Sequence, residues 1–410
     1  MDNSNKTLFF IFLYISLLIG FYFDENSSGG AYPDFRMRIG LIENFKNNFS
    51  TTFFNYNSYD DRHSPILIMI ISYLNILGLD LDIIRFIHLN LLPVLILLAY
   101  KCLILKFNKE NKNIIFFISC VFFLSPSLRS IAIWPDSRIL GLIVFLISIY
   151  FFLKFKNTHE FKYCICNNIY LILSAYISPN FSIFFIYFVI YYIQYYKITS
   201  KLILMISINC ILSLPMFYYL IILDVNFLTT TAVSDTKISH ILNPVNKIFI
   251  ISTLLFFFIT PFIVRHLSIN NFKKNFKINH LFFVTILFSS LVYFFNYSFD
   301  YTGGGIFFKL SFLFFGNSYF FFVVTFISML LIINIFKINY NNIVLFFILI
   351  LSTPQLTIYH KYFDPLLILL FFLFFDFKFK KTIFFRKKFI TNIYFFYSAL
   401  LLINFGRYLV

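Results

Sequence analysis

Long apolar runs, separated by short polar connectors rich in Lys and Asn, make up nearly the whole chain of 410 residues. A membrane-spanning helix needs roughly 17 to 25 mostly apolar residues, and such runs recur from end to end. The pattern predicts an all-α polytopic membrane protein with a single transmembrane domain over residues 1–410. We predict thirteen spans, at residues 7–23, 83–105, 113–126, 139–155, 166–178, 183–196, 201–222, 246–264, 280–297, 318–336, 342–355, 364–377 and 390–405.

Two segments need separate treatment. Residues 64–79 contain only about fifteen apolar positions, fewer than the roughly twenty of a span, so we predict a re-entrant or interfacial helix there. The first span, residues 7–23, is followed by no small-residue cleavage site, and we expect it to remain uncleaved.

Composition supports this class and changes the meaning of the charge. The chain is 60% hydrophobic and 12% charged, with a mean hydropathy of +0.84. A net charge of +16 in a soluble protein would suggest nucleic acid, but here the Lys residues fill short connectors, which the positive-inside rule assigns to the cytoplasm. We therefore expect membrane lipids and no nucleic acid as partners, an N-terminus inside and a C-terminus outside. The abundance of Phe, Ile, Asn, Lys and Tyr is typical of an AT-rich bacterial genome, which makes the plasma (inner) membrane the expected location.

The acidic residues were not used to build this topology, and they cluster on its outer side. Of the 17 Asp and Glu residues, 13 fall in predicted outer segments. The positive-inside rule concerns Lys and Arg and does not explain this distribution. A working site on the outer face would explain it; the alternative is that outer loops are longer and hold more polar residues of every kind.

The first outer loop, residues 24–80, is unusually long for a connector, which is typical of a functional loop. It opens with the acidic pair Asp24 and Glu25. Apolar residues at helical spacing then predict an amphipathic helix over residues 34–49, lying along the membrane interface. Arg38 lies beside the apolar side of this helix, so we expect it to extend toward the lipid headgroups.

Two motifs in this loop resemble a known family. Phe23-Asp24-Glu25, followed by Gly29-Gly30, and later Asp61-Arg62-His63-Ser64-Pro65 resemble the Phe-Asp-Glu and Asp-x-His-Pro-Pro motifs of protein O-mannosyltransferases. These enzymes belong to the GT-C glycosyltransferases. The resemblance covers mainly residues 20–140. Ser64 stands where the family often has Pro, and Arg62 adds a charge.

The resemblance implies a GT-C-like helical bundle with interfacial helices in the first outer loop and an inverting hexosyl- or pentosyltransferase activity. Its donor would be a polyprenyl-phosphate sugar on the outer leaflet, and its acceptor a lipid or cell-surface glycan. Sugar transfer needs a base for the acceptor proton. Asp24 is the predicted base, with Glu25 in support and Asp34 as the second candidate. At the mouth of an apolar bundle, partial desolvation would raise the basicity of Asp24; the alternative is that all three are solvated loop acids.

Further polar residues are candidates for substrate binding. Arg129 and Arg138 suit a lipid phosphate, because a planar guanidinium matches its oxygens, and Asp136 would contact sugar or acceptor. An Arg–Asp pair bracing the loop is an equal alternative. Related enzymes contact the donor phosphate near a late span, where this chain has a triple glycine and three cationic or titratable residues. The substrate-binding candidates are Asp61, His63, Arg129, Asp136, Arg138, Lys309, His360 and Lys361.

The sequence also bears on cofactors and on two competing classes of protein. A divalent metal could be held by Asp and His, although no spacing demands one, and no other cofactor is indicated. A transporter or flippase for lipid-linked glycans is the competing class, but such proteins use ionisable residues deep in their spans, which this chain nearly lacks. A polysaccharide polymerase would favour a long late outer loop with paired Arg, and residues 224–245 contain none.

Overall fold

The computed structural model describes residues 3–59, 61, 63–107, 111–227, 243–263, 277–301, 303–352, 357–379 and 384–406. Across these ranges the regular structure is helical. There is no β-strand in them, only an isolated antiparallel bridge between Phe336 and Phe377. The predicted all-α class is confirmed.

Within the described ranges, six helices are long and apolar enough to cross a membrane, and a bent pair would make a seventh. The pair consists of Lys112–Leu124 and Pro126–Ile133, which meet at 64°. The chain is thus a multi-pass membrane protein. The six helices are Ser4–Tyr22, Leu81–Lys106, Ser137–Thr158, Ser200–Ile222, Pro244–Phe262 and Lys387–Gly406.

The count of thirteen spans is not reached. Every predicted span overlaps a helix, yet apart from the bent pair the remaining six are shorter helices, such as Phe184–Tyr196 with 13 residues. The predicted span at 364–377 is the ten-residue helix Asp364–Leu373, and every residue of it is buried. An apolar run of that length is typical of a core helix rather than a span, and hydropathy alone does not separate the two. Residues 264 and 353–355, at the ends of two predicted spans, lie outside the described ranges.

The chain divides into two compact units. Unit 1 contains residues 1–234 and 397–410, and unit 2 contains residues 235–396. Whether both belong to one transmembrane domain stays a prediction.

Unit 1 begins with a span and continues with short helices that lead to longer ones. Its helices are α1 Asn3–Tyr22, α2 Ala31–Asn47, α3 Phe49–Phe54, α4 Ile66–Ile76, α5 Leu81–Leu89, α6 Leu91–Lys106, α7 Lys112–Cys120, α8 Pro126–Ile133, α9 Ser137–Thr158, α10 Phe161–Ile177, α11 Phe184–Tyr196 and α12 Ser200–Phe217. α9 packs against α6 and α10, and α10 packs against α12. A π-helical turn, Tyr218–Ile222, follows α12 just after Pro215, whose ring cannot continue regular helix hydrogen bonding.

The amphipathic helix predicted over residues 34–49 is α2. Phe35, Ile42 and Phe45 are buried, whereas Gly40 and Asn44 face outward. The re-entrant or interfacial segment corresponds to α4, which packs directly on α2, and Ser72 donates a hydrogen bond to the Ile42 carbonyl at 2.8 Å. The apolar side of α2 is therefore covered, at least in part, by the protein itself.

Side-chain caps fix the chain around the short helix α8. Ser125 accepts a hydrogen bond from the Leu128 N–H at 3.2 Å, and Pro126 occupies the first helical position, where its missing N–H costs nothing. Asp136 caps α9 in the same way, accepting from the Arg138 N–H at 2.9 Å. These caps set the start of each helix and so place the charged residues that follow.

Unit 2 is built around α13, which contacts α15, α16, α17 and α18. The helix α15 was not predicted from the sequence, because it begins at the third residue of the triple glycine and its eleven residues are too few for a span. The last helix, α19, has residues in both units. The helices are α13 Pro244–Ile263, α14 Ile278–Val292, α15 Gly305–Phe315, α16 Tyr319–Ile335, α17 Tyr340–Leu351, α18 Asp364–Leu373 and α19 Lys387–Gly406.

Candidate functional site

Charged residues from five parts of unit 1 meet where α1 ends and α2, α5 and α9 begin. We call this set the polar cluster. It contains seven of the predicted site residues and two that were not assigned a role. Its members are Asp24, Glu25, Arg38, Asp61, His63, Arg85, Arg129, Asp136 and Arg138.

Glu25 and Arg129 form a closed, buried ion pair. Arg129 Nε donates to Glu25 Oε1 at 2.8 Å and to Oε2 at 3.0 Å, and both side chains are almost fully buried. Arg129 Nη2 also donates to the Ser16 carbonyl at 2.8 Å. Because these partners already occupy Arg129, a lipid phosphate would have to displace Glu25 to reach it. The pair joins the end of α1 to α8.

Small residues make room for this pair. A Cβ added at Gly20 would collide with the Glu25 carboxylate and come within 2.7 Å of Arg129 Nη2. Ser27 Oγ lies 2.8 Å from Glu25 Oε1 and 2.9 Å from the Pro126 carbonyl, so its single proton serves one of them at a time. Glu25 is thus satisfied on every side within the protein.

Arg38 and Asp61 form a second buried pair, and this corrects the predicted position of Arg38. Arg38 Nε donates to Asp61 Oδ2 at 2.8 Å, so the guanidinium is turned into the protein rather than toward headgroups. His63 Nδ1 lies 2.6 Å from Arg38 Nη2 and 2.8 Å from Asp61 Oδ1, and its tautomer decides which it bonds. Burying the guanidinium of Arg38 costs free energy, and its pairing with the Asp61 carboxylate offsets that cost. Arg62, which lies between Asp61 and His63 in the motif, is outside the described residues.

The surroundings shift the ionisation of this pair. Burial acts to raise the pKa of Asp61, but hydrogen bonds from His63 and the charge of Arg38 outweigh it and hold that pKa well below the usual range. Burial acts to lower the pKa of Arg38, and the carboxylates of Asp61 and Asp136 reverse the effect. Both groups are therefore charged at neutral pH.

Asp136 and Arg138 form an ion pair within their own loop. This is the arrangement that the sequence offered as the alternative to phosphate binding. Arg138 Nε donates to Asp136 Oδ1 at 2.7 Å and Nη2 donates to Oδ2 at 2.6 Å. Arg38 Nη1 lies 3.9 Å from the same carboxylate and connects this pair to Asp61. Burial opposes ionisation, but Arg138 and Arg38 hold the pKa of Asp136 well below its usual range.

Asp24 differs from its neighbour Glu25, because its side chain is 63% exposed. The expected partial desolvation of Asp24 is therefore not observed. Arg85 Nη2 donates to Asp24 Oδ1 at 2.6 Å and Nη1 donates to Asp82 Oδ1 at 2.9 Å. The guanidinium lies 3.8 Å from the Trp134 ring centroid, a close cation–π contact.

The backbone of Asp24 adopts a left-handed conformation with φ of 51°. Few residues other than Gly adopt this region, although Asp is enriched among them, and the strain is commonly found at functional sites. The following residue is fixed by two contacts: Glu25 N–H donates to the Gly20 carbonyl, and Trp134 Nε1 donates to the Glu25 carbonyl at 3.1 Å. This turn buries Glu25 and leaves Asp24 accessible.

An aromatic surface continues from Trp134 to an exposed cation. The Tyr32 ring lies 4.6 Å from the Trp134 ring, and the Arg36 guanidinium lies 5.1 Å from the Tyr32 ring. Arg36 is exposed, and no described carboxylate pairs with it. Asp34, the second candidate base, is half-buried on the same helix, where its charge acts on Arg38.

The remaining predicted site residues lie in unit 2. Gly303, Gly304 and Gly305 all have positive φ, and the Gly304 N–H donates to the Ile358 carbonyl at 2.9 Å. A Cβ at Gly303 would lie 2.5 Å from that carbonyl oxygen, so the triple glycine allows close backbone approach.

Lys309, His360 and Lys361 each rest against protein groups. Lys309 Nζ donates to the Phe299 carbonyl at 2.7 Å and to the Tyr301 carbonyl at 2.8 Å. The His360 ring packs against the rings of Phe257 and Phe258, and burial lowers the pKa of His360 against the opposing charge of Asp364. Lys361 Nζ lies 5.1 Å from the Tyr359 ring.

Sequence reasoning missed several of these residues. Arg38 was assigned to the lipid interface, and Arg36, Arg85 and Trp134 were not among the predicted site residues. Lys247, in the first turn of α13, is only 5% exposed and has no hydrogen-bond or ion-pair partner in the described part of the chain. The only available signal for these residues was a charge or a large aromatic group beside an apolar run.

Among the described residues there is no group of three or more His, Cys, Asp or Glu arranged to hold a metal ion. No protein-family model matches the chain, and neither a curated protein nor a solved structure matches it. The resemblance to GT-C glycosyltransferases therefore rests on the motifs quoted from the sequence and stays a prediction.

Proposed function

We propose that the chain is a membrane glycosyltransferase of the GT-C type, which moves a monosaccharide from a polyprenyl-phosphate donor to an outer-leaflet lipid or cell-surface glycan. One observation carries the proposal. In a chain with 12% charged residues, Asp24 offers an exposed carboxylate at the edge of a buried polar cluster, held by Arg85 beside the Trp134 ring. Sugar transfer to a hydroxyl requires an accessible base, and buried neighbours hold this one in place.

The reaction assigned to this site is a single inverting displacement. The oxygen of the acceptor hydroxyl attacks the anomeric carbon of the sugar. At the same time, Asp24 accepts the proton of that hydroxyl. The bond from that carbon to the phosphate oxygen breaks, and the bonding electrons leave with the polyprenyl phosphate. The new glycosidic bond forms on the opposite face of the sugar, which inverts its configuration.

A cation is needed where the phosphate gains charge. Arg36 is our choice in unit 1, because it is exposed and no described carboxylate neutralises it. Arg129 and Arg138 are each paired with a buried acid, so we assign them to positioning Glu25 and Asp136 rather than to binding phosphate. Lys309, His360 and Lys361 in unit 2 remain proposed donor contacts.

The buried acids support the base in this scheme. In this proposal Glu25 has a supporting role, because it fixes the turn that presents Asp24. Asp61 holds Arg38 near Asp136, and the backbone N–H of His63 donates to Asp61. Asp34 is retained as the second candidate base. The proposed location is a bacterial plasma membrane, with the site on the extracytoplasmic face.

The test compares two carboxylates that bind the same arginine. Purified protein in lipid nanodiscs is incubated with radiolabelled polyprenyl-phosphate hexoses and pentoses and a membrane lipid extract as acceptor. Asp24→Asn should lower the transfer rate about 10²- to 10⁴-fold, the usual contribution of a general base. Asp82→Asn is the matched control, because Asp82 also pairs with Arg85 but its side chain is 83% exposed and outside the motif.

Two results would contradict the proposal. Full transfer by Asp24→Asn would remove Asp24 as the base. If the protein consumed none of the donors in the panel, the proposed transferase activity itself would be rejected.

The transporter or flippase class is kept as the alternative because of one observation. Buried amides inside the helices of unit 1 form a network: Tyr192 donates to Asn167 Oδ1, and Asn209 donates to Asn168 Oδ1. Intramembrane polar residues are common in transporters. Movement of a fluorescent lipid-linked glycan across proteoliposomes, without sugar transfer, would favour this class. The polymerase alternative depends on residues 224–245, of which 228–242 lie outside the described ranges.

A further inference from the structure

A buried lysine in unit 2, Lys247, has no partner for its charge. It lies in the first turn of α13 and is only 5% exposed. Its side chain makes no hydrogen bond or ion pair with the residues that the structure describes, and no charged side chain among them acts on it electrostatically. The ammonium group still keeps some accessible surface, because it is not one of the fully enclosed unpaired atoms of the described chain. A ligand can therefore reach it.

The other buried Lys and Arg side chains in the described ranges are all paired. They are four arginines, and each binds a carboxylate: Arg38, Arg85, Arg129 and Arg138. A buried charge without a partner is costly. A cation in the first turn of a helix also lies at the positive end of the helix dipole. An anion bound at Lys247 would offset both costs.

The amides at the start of α13 are occupied by one another. Asn246 Nδ2 donates to Asn296 Oδ1 at 2.8 Å, and the Asn296 N–H donates back to Asn246 Oδ1 at 3.0 Å. Asn243 Oδ1 accepts from the Val245 N–H at 3.0 Å, which caps the helix. These bonds fix the first turn of α13 and leave the ammonium group of Lys247 without an acceptor.

Lys247 lies at the depth of the lipid headgroups. It is three residues from Pro244, the first residue of this span, which corresponds to about 4.5 Å along the helix axis. Tyr293, three residues before Asn296 in the chain, is 88% exposed, and Tyr is enriched at the membrane interface. At this depth the anionic group that a membrane supplies is a lipid phosphate.

The single charge of Lys247 favours one kind of phosphate lipid. Because no second cation of the described residues acts at this position, Lys247 neutralises one negative charge. A phosphodiester carries one such charge, whereas a phosphomonoester carries up to about two at neutral pH. A headgroup with an ammonium would bring a second positive charge to a place where no described acid receives it. These features favour a phosphodiester lipid with one net negative charge.

We propose that Lys247 binds the phosphodiester of a membrane lipid with one net negative charge at the N-terminal end of α13. The ammonium group donates hydrogen bonds to the phosphate oxygens, and the acyl chains stay in the bilayer. The site is independent of the proposed sugar transfer, because it requires neither Asp24 nor a sugar.

Native mass spectrometry of the delipidated full chain in detergent measures this site. Phosphatidylglycerol and phosphatidylcholine with identical acyl chains are titrated separately. The first molecule of phosphatidylglycerol should bind about tenfold more tightly than the first of phosphatidylcholine, the worth of one charge-assisted hydrogen bond. Inorganic phosphate, added as a competitor at the same concentration as the lipid, should not displace it, because phosphate has no chains to hold it in the micelle.

Lys247→Met removes the charge and nearly preserves the length of the side chain. It should abolish the preference for phosphatidylglycerol, whereas Lys247→Arg should retain it. Lys46→Met is the matched control, because Lys46 is exposed and also predicted to lie outside, and the preference should survive there. In phosphatidylcholine, Lys247→Met should melt at the same or a higher temperature than the unsubstituted chain, since an unpaired buried charge is gone. This second measurement separates loss of binding from loss of fold.

Three outcomes would overturn the proposal. They are equal affinity of the unsubstituted chain for the two lipids, a phosphatidylglycerol preference that survives Lys247→Met, and displacement of the lipid by an equal concentration of inorganic phosphate, which would assign the site to a free anion.

Discussion

Asp24 and Glu25 are adjacent in the sequence, yet the structure gives them opposite environments. Glu25 is enclosed by Arg129 and Ser27, whereas the side chain of Asp24 is 63% exposed and held by Arg85. The left-handed φ of Asp24 turns the chain so that the two carboxylates point to different partners. The availability of an acid for chemistry is therefore decided residue by residue.

The space around Glu25 gives a prediction for Gly20→Ala. The added methyl group would collide with the Glu25 carboxylate and crowd Arg129, so we expect the free energy of unfolding to fall by about 1–3 kcal/mol. Gly40→Ala is the matched control, because nothing lies within 4 Å of a Cβ there and alanine favours a helix by about 0.5–1 kcal/mol. Denaturant titration in detergent measures both. Equal stability of the two variants would refute the crowding argument.

Arg36 gives a prediction about donor binding. Arg36→Gln removes the exposed cation proposed for the phosphate, so the KM for the polyprenyl-phosphate sugar should rise several-fold. Lys46→Gln on the same helix removes a cation whose neighbour is Glu43 at 4.0 Å, and KM should stay unchanged. If both variants behave alike, the effect is one of general surface charge.

At the scale of elements, buried ion pairs fasten helices that are distant in the chain. Arg129 and Glu25 connect α8 to the end of α1, and Arg38 connects α2 to Asp61 and Asp136. Asp136 also organises the backbone, because it caps α9. Removing one partner leaves an uncompensated buried charge, which costs about 3–5 kcal/mol.

These acids predict how stability depends on pH. The pKa values of Asp61 and Asp136 are lowered on folding, so the folded state binds fewer protons than the unfolded state near the ordinary aspartate range. Their contribution is fully present above about pH 5 and is lost as pH falls below about 4, toward the folded pKa values. The thermal midpoint in detergent should therefore drop from pH 5 to pH 3.

Asp61→Asn provides the comparison for this pH dependence. It should lower the midpoint at neutral pH and flatten its fall with acid, whereas the exposed Asp82→Asn should leave the profile unchanged. An Asp61→Asn profile parallel to that of the unsubstituted chain would show that other carboxylates cause the acid loss.

At the scale of the whole molecule, the number of membrane crossings decides where the termini lie. Thirteen predicted spans, or seven with the bent pair, place the termini on opposite sides, whereas six place them on one side. We expect an N-terminal tag to be protected and a C-terminal tag to be cleaved by protease added to the outside of spheroplasts. A tag at Glu43, in the predicted first outer loop, serves as the positive control. Protection of both terminal tags would indicate an even number of crossings.

Much of the fold was predictable, but the packing of the short helices was not. The pattern located a helix at every predicted span and identified α2 and α4, because apolar periodicity follows from backbone geometry. It predicted more spans than the six or seven helices of the described ranges that are long enough to cross a membrane, and the helix at 364–373 shows why, since it is apolar but enclosed by protein. It also missed α15, which is short and begins at the last of three consecutive glycines.

The sequence by itself determined the class of the protein, the position of most helices and the gathering of acidic residues in a few polar segments, because these depend on local composition and period. Tertiary structure alone decided which charges meet. Glu25 and Arg129 are 104 residues apart, and Arg38 reaches Asp61 rather than the lipid surface. A charged side chain buried among apolar residues needs an oppositely charged partner. The packing of helices that are distant in the sequence determines which residue is that partner.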